Sequence, residues 1–416
     1  MSIYGLSIMP SSTAKATNNR LSLPSLAAVL VAVGLLIQAQ GPVSAAAAVV
    51  EQAPASSTQT IFLPLIGGAN YNPAPVPAPA PEPAPEPAPV ETTSRIYWGA
   101  MVDGQAPSPE RLVLFAEFEQ EAGKQMAILH WGSPWKMNGS FMPFQTSYFN
   151  NVRSRGSIPM LDWGSWELGY GKDQPAFRLS AITNGTYDAY IQQWALDAKA
   201  WGHPFFLRFD WEMNGNWQFP WAEQINGNNA GDYIKAWQHV HNIFTQTGAL
   251  NATWVWCPNI GGSTTRDLAA LYPGDAYVDW TCLDGYNKYN NTWLSFNTVF
   301  SASGINWLDN SYKDVLAVAP NKPMMIGETG SLEAGDGGAK KAEWYKQAFS
   351  SQLTTSFPKI KAVVLFDWDD NSSTLASLPV NSTPAALAAF AESIGSDMFA
   401  ANEFAGLANG KIQPLP

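Results

Sequence analysis

The stretch Leu207–Trp221 reads LRFDWEMNGNWQFPW and directly continues Phe205 and Phe206. As a strand, its side chains divide by parity. Phe205, Leu207, Phe209 and Trp211 share one face, and Arg208, Asp210 and Glu212 share the other. The apolar face suits a layer of helices, which leaves three charged groups aimed into the interior of the sheet. Buried charge is costly unless paired, so an Arg208–Asp210 network is expected. Glu212, last in the row, would sit at the rim. There it is either a third member of that network or a general acid whose pKa is raised by its apolar surroundings.

Working outward, seven more runs of the same kind appear: IYWGAMVDG, QMAILHWGSP, SIPMLDWGSW, ATWVWCPN, VDWTCLDGY, PMMIGETG and KAVVLFDWDD. Between them lie segments such as YDAYIQQWALDAKAWG and DYIKAWQHVHNIFTQTG, whose apolar residues recur at three and four. The second ends in Gly248, a helix C-cap signal. Eight strand–helix units in about 300 residues predict an α/β fold, a (β/α)8 barrel, over residues 95–396. TPAALAAFAESIG would be its closing helix, followed by a tail, 397–416. An open doubly wound sheet would carry a Gly-rich phosphate loop after its first strand, and the sequence has none there. Most of the runs end in Asp, Glu, Asn, Trp or Tyr, and the C-terminal ends of barrel strands are where this fold builds its sites.

The segment before Arg95 has another character. Lys15 and Arg20 precede LAAVLVAVGLLI and a small-residue exit at Val43-Ser44-Ala45, the pattern of a secretory signal over 1–45. PAPVPAPAPEPAPEPAPV, 73–90, forbids helix and sheet and predicts an extended spacer within a disordered linker, 46–94. A secreted or cell-surface protein is expected, with no membrane insertion after signal cleavage. Charged residues make up only 14% of the chain, and the net charge is −11, which argues against nucleic acid and anionic membranes as partners. Cys257 and Cys282 form no Cys-x-x-Cys pair, so no Cys-based zinc site is expected; export leaves a disulfide between them or two free thiols open.

A second carboxylate, Glu328, ends the seventh run in PMMIGETG, with Gly327 removing side-chain bulk beside it. On its own it reads equally as a cap for the next helix. Together, glutamates at the ends of strands four and seven can face each other across a barrel mouth, the arrangement of acid/base and nucleophile in retaining glycoside hydrolysis. Tyr286 could donate a hydrogen bond to Glu328, and Trp368 could floor the reacting sugar. The chain's 18 tryptophans exceed what a core needs, so Trp131, Trp163, Trp166, Trp217 and Trp221 are candidate sugar platforms or core residues. His130, ending the second strand, either lines the groove or is a satisfied structural histidine. His239 and His241, two apart on a helix, diverge and make a poor metal pair. Chemistry of this kind needs no metal or cofactor.

RFDWEMNGNWQFPW, WVWCPN, VDWTCLDGYN and IGETGS resemble successive signatures of glycoside hydrolase family 26, over roughly Arg95–Gly395. That resemblance implies a clan A barrel with Glu212 as acid/base, Glu328 as nucleophile and Tyr286 as the nucleophile's partner. Trp217, Trp221 and Trp368 would bind sugar; apart from the resemblance, Trp211, Trp163, Trp131, Arg208 and His130 are further candidate substrate-binding residues. Family mannanases usually carry His immediately before the acid/base, where this chain has Trp211. The expectation is a monomeric, endo-acting retaining β-glycanase with a polysaccharide substrate, β-1,4-mannan first, then mixed-linkage β-glucan or β-1,3-xylan. A non-catalytic polysaccharide-binding barrel is the alternative of another class.

Overall fold

The eight runs form eight strands: β1 (Ile96–Val102), β2 (Ile128–Met137), β3 (Ile158–Glu167), β4 (Phe205–Phe209), β5 (Ala252–Trp256), β6 (Trp280–Asn287), β7 (Met324–Ser331) and β8 (Ile360–Asp367). All eight pair in parallel with their sequence neighbours, and β1 pairs with both β8 and β2, so the sheet closes into the expected (β/α)8 barrel. This computed structural model describes residues 95–416, leaving aside 216–218, 263–264, 266, 289–291, 303, 370–376 and 409. The described residues fall in one of two compact units of the chain. The expected signal and linker, 1–45 and 46–94, lie outside them.

Alternation along the strands builds two apolar layers. Outward residues such as Trp98, Leu129, Leu161, Leu207, Trp254, Ile326 and Val363 meet the helices. The helices present matching stripes, among them Ile191, Trp194, Ala195 and Ala198 of Asp188–Trp201. Inward residues Tyr97, Ile128, Met160, Phe206, Val255, Trp280, Met325 and Val364 fill the lower barrel.

The segment beyond the closing helix packs across the bottom of the barrel. Phe399 and Ala400 pair with the start of β1, Ile412 N–H donates to Thr253 Oγ1 at 2.9 Å, and Trp280 Nε1 donates to the Ile412 carbonyl at 2.8 Å. Tyr97 Oη donates to the Gln413 carbonyl, and Arg95 N–H to that of Pro416.

Candidate active site

Each polar group at the mouth arrives by continuing an inward row. Above Phe206 comes Arg208, above Met160 comes Asp162, above Ile128 comes His130, and above Trp280 and Cys282 comes Asp284. Glu328 breaks this rule. It shares parity with outward-facing Ile326, so a regular strand would turn it to the helices. A bulge corrects the direction: Leu283 pairs with Ile326, and Asp284 with Glu328, skipping Gly327. Gly327 is the residue that permits this, because a Cβ there would sit 2.3 Å from Cys282 Sγ and 2.8 Å from Asp284 Oδ1.

The Arg208 guanidinium is fully buried among these groups. Nη1 lies 3.0 Å from Glu328 Oε1, 3.2 Å from Asp162 Oδ1 and 3.3 Å from His130 Nε2, while Nη2 pairs with Asp284 Oδ2. Burial works against its charge, but the three carboxylates outweigh that and raise its pKa above the ordinary arginine value. His130 is itself buried, with Nε2 2.9 Å from Asp162 Oδ1. His130, open between a groove-lining and a structural role, meets Arg208 and Asp162, while Arg208, expected in the groove, lies on the floor and donates to Glu328. The expected Arg208–Asp210 pair is not formed either. Asp210 and Glu212 have φ of 45° and 52°, so the strand's alternation stops after Phe209. Asp210 turns to β3 and accepts from Ser165 N–H and Oγ, both at 2.8 Å.

Glu212 meets the cluster from the side. Its N–H donates to the Cys257 carbonyl at 2.7 Å, and its Oε1 accepts from Asn259 Nδ2 at 2.7 Å. Asn259 is fixed in turn: its N–H donates to Asn214 Oδ1 at 2.9 Å and its carbonyl accepts from Asn214 Nδ2 at 2.8 Å. Carboxylate oxygens of Glu212, Asp284 and Glu328 lie within 4.8 Å of one another. Burial, and next the charge of Glu328, push Glu212 up from 4.5 to about 7. Tyr286 Oη donates to Glu328 Oε2, and burial drives its phenol well above the usual range. A cation bound among the three carboxylates would compete with Arg208, which already neutralises two of them.

The aromatic residues separate into two groups. Trp131 and Trp163 share the outward parity and are buried between strands and helices. Trp131 packs edge-on to Phe149 and Trp163 stacks on Trp194 at 4.6 Å, so neither offers a face to a ligand. Trp221 is also buried, stacked on Phe219 at 4.5 Å with Nε1 donating to the Trp211 carbonyl. It backs the partly buried Trp211 and Trp166 rather than forming a platform. Trp368, partly buried, stands beside Phe366 and Tyr286 at the mouth, its ring covering Gly104. Trp217 lies outside the described residues. Cys257 and Cys282 are joined in a disulfide between the end of β5 and β6.

Sequence inspection missed Asp162, Asp284, Asn214 and Asn259. Two of them carried a repeated signal, Leu-Asp near the end of the third and sixth runs, on the inward parity set by Met160 and Cys282.

A parallel barrel with two facing carboxylates at the ends of its fourth and seventh strands has the architecture of a glycoside hydrolase. Residues 132–307 match the family described as glycosyl hydrolase family 26. The chain belongs to that family. It is 36% identical over 311 residues to Endoglucanase H of Acetivibrio thermocellus, covering 72% of this chain and 30% of that protein. It is 27% identical over 154 residues to β-1,3-xylanase TXYA of a Vibrio species, covering 36% of this chain and 28% of that protein. The chain thus spans about a third of the length of the curated relatives it matches. In fold it is similar to the family 26 domain of an endo-β-mannanase/endo-β-glucanase from Prevotella bryantii, at TM-score 0.52 and 16% identity, covering 75% of this chain and 92% of that one. A family 26 β-mannanase from Bacteroides ovatus gives TM-score 0.51 at 15% identity, covering 75% and 91%.

Proposed function

We propose that the protein is an endo-acting, retaining β-glycanase, exported through the segment 1–45, that cleaves a β-linked glucan. The observation that carries the reaction is the pair Glu212 and Glu328, with carboxylate oxygens within 4.8 Å, close to the roughly 5 Å carboxyl separation of retaining enzymes. Glu212, holding its proton near neutrality, gives it to the departing glycosidic oxygen as Glu328 Oε attacks C1 and the C1–O bond breaks. Glu212, now a carboxylate, takes a proton from water as the water oxygen attacks C1 and releases Glu328. Tyr286 and Arg208 hold the two oxygens of Glu328 and fix its line of attack.

Two observations support glucan. The relative at 36% identity is called an endoglucanase, and Trp211 occupies the position where family mannanases usually carry His. β-1,4-Mannan is the second reading, supported by the mannanases among proteins of the same fold. No helix of the described residues is long and apolar enough to cross a membrane. The test is reducing-end release from barley mixed-linkage glucan, carboxymethyl cellulose, galactomannan and β-1,3-xylan, with Glu212→Ala and Glu328→Ala beside the parent. Release from a glucan, lost in both variants, supports the proposal, and release from galactomannan alone replaces glucan with mannan. Binding with no release from any polymer makes the barrel a binding protein.

A further inference from the structure

The short segment Cys257–Asn259 cradles Glu212. The Glu212 N–H donates to the Cys257 carbonyl at 2.7 Å, and Glu212 Oε1 accepts from Asn259 Nδ2 two residues further on. The segment lies just beyond β5, whose ladder with β6 runs through Val255–Trp280 and Trp256–Thr281. The next rung is covalent: the Cys257–Cys282 disulfide, with both residues buried among the inward row. Above it the two chains bond around Asp284. Its N–H donates to the Pro258 carbonyl at 3.1 Å, and its carbonyl accepts from Ile260 N–H at 2.8 Å.

The two sulfur atoms also reach the supports of the nucleophile. Asp284 Oδ1 lies 3.2 Å from Cys257 Sγ and 3.8 Å from Cys282 Sγ, and Asp284 shares Arg208 with Glu328. A Cβ on Gly327 would stand 2.3 Å from Cys282 Sγ and 3.1 Å from Cys257 Sγ, so the disulfide fills the space beside the bulge. We propose that the Cys257–Cys282 disulfide is a positioning element of the reaction centre, which fixes Glu212 through the Cys257 carbonyl and Asn259. The proposal rests on the glycoside hydrolase reading. Pro258, having no N–H, cannot donate to a neighbouring strand, so a covalent rung holds the chain where a ladder bond is missing. Glu328 depends on the disulfide less, because it pairs with β6 and is held by Tyr286 and Arg208. Without the disulfide, proton donation by Glu212 weakens and attack by Glu328 is spared.

The experiment removes the disulfide from the full chain in two ways: as Cys257→Ala/Cys282→Ala, and as the parent refolded with dithiothreitol. Two substrates separate the roles. The departing oxygen of the best polymer needs the Glu212 proton, whereas a dinitrophenyl glycoside of the same sugar loses its leaving group without one. The expected result is a fall in kcat/KM of roughly 10- to 100-fold on the polymer. On the dinitrophenyl glycoside the change stays within about threefold. Deuterium exchange of the Glu212 amide speeds up by about tenfold or more, while the amides shared by β3 and β4 keep their rates. Equal losses on both substrates, or an unchanged rate on the polymer, overturn the proposal. So do two free thiols on alkylation of the unfolded parent, or a chain that folds in neither disulfide-free form. A parent inactive on both substrates defeats the glycoside hydrolase reading. The Glu212 amide then still decides whether the disulfide holds that residue, and unchanged exchange overturns the proposal.

Discussion

The lower and upper halves of the barrel interior are built by the same strands with the same inward parity, yet they follow opposite chemistry. Below, Tyr97, Met160, Phe206, Trp280 and Met325 form an apolar plug. Higher up, the same rows place Asp162, Arg208 and Asp284, buried and bonded to one another through the Arg208 guanidinium. The lower half draws stability from removing apolar surface from water. The upper half gives up part of that stability to hold charges where a reaction can use them.

Replacing the nucleophile should separate the halves most sharply. Glu328→Ala is expected to lower polymer hydrolysis by roughly 10⁴-fold or more, with a thermal melt close to the parent's. Arg208→Met should cost stability as well as activity. It strands the carboxylates of Asp162, Asp284 and Glu328, and chemical denaturation should show a loss of about 3–5 kcal/mol. Phe206→Ala makes the complementary break: it should cost about 3–5 kcal/mol through a cavity, while kcat at a temperature where the variant is folded stays near the parent's.

The fourth prediction concerns pH. Glu212 is raised from 4.5 to about 7 in the folded protein, so the folded state binds the proton more tightly than the unfolded one. Its contribution is fully present below about 4.5 and is lost as pH rises through 7. Glu212→Gln does not titrate there, so it should be more stable than the parent at pH 8, by up to about 3 kcal/mol, with the difference vanishing near pH 4. Equal melting curves at both pH values would show that Glu212 is not held in a proton-retaining site. The smallest effect is expected at Asn259. Removing its hydrogen bond to Glu212 should move the basic limb of the pH–rate profile upward and lower kcat about tenfold, a loss of some 1.5 kcal/mol.

The two halves also differ in how far they could be read beforehand. Eight apolar runs, their rhythm and the positions of Glu212, Glu328 and Tyr286 were legible because strand ends carry polar residues in a recognisable order. The faces of the tryptophans were not. β2 and β3 are apolar on both sides, so alternation alone does not say whether His130 or Trp131 points inward; the closed barrel decides it, and Trp131 and Trp163 go to the helices. Asp210 was misassigned because parity was extended past Phe209, where positive φ ends the strand. The inward turn of Glu328 depends on a bulge, and only the neighbours of Gly327 reveal why a side chain is forbidden there.

The seam at the bottom of the barrel has a mechanical consequence. Arg95 N–H meets the Pro416 carbonyl at 3.2 Å, so the described chain enters and leaves at one spot, on the face away from the glutamates. A pull applied through either end is taken up by the β1 seam and the contacts of Ile412 and Gln413 before it can reach the mouth. The barrel can therefore be held from beneath without tilting the surface it offers to a polymer. The same closeness would let a short peptide join the two ends and new ends be cut in a helix-side loop, leaving the order of charges above untouched.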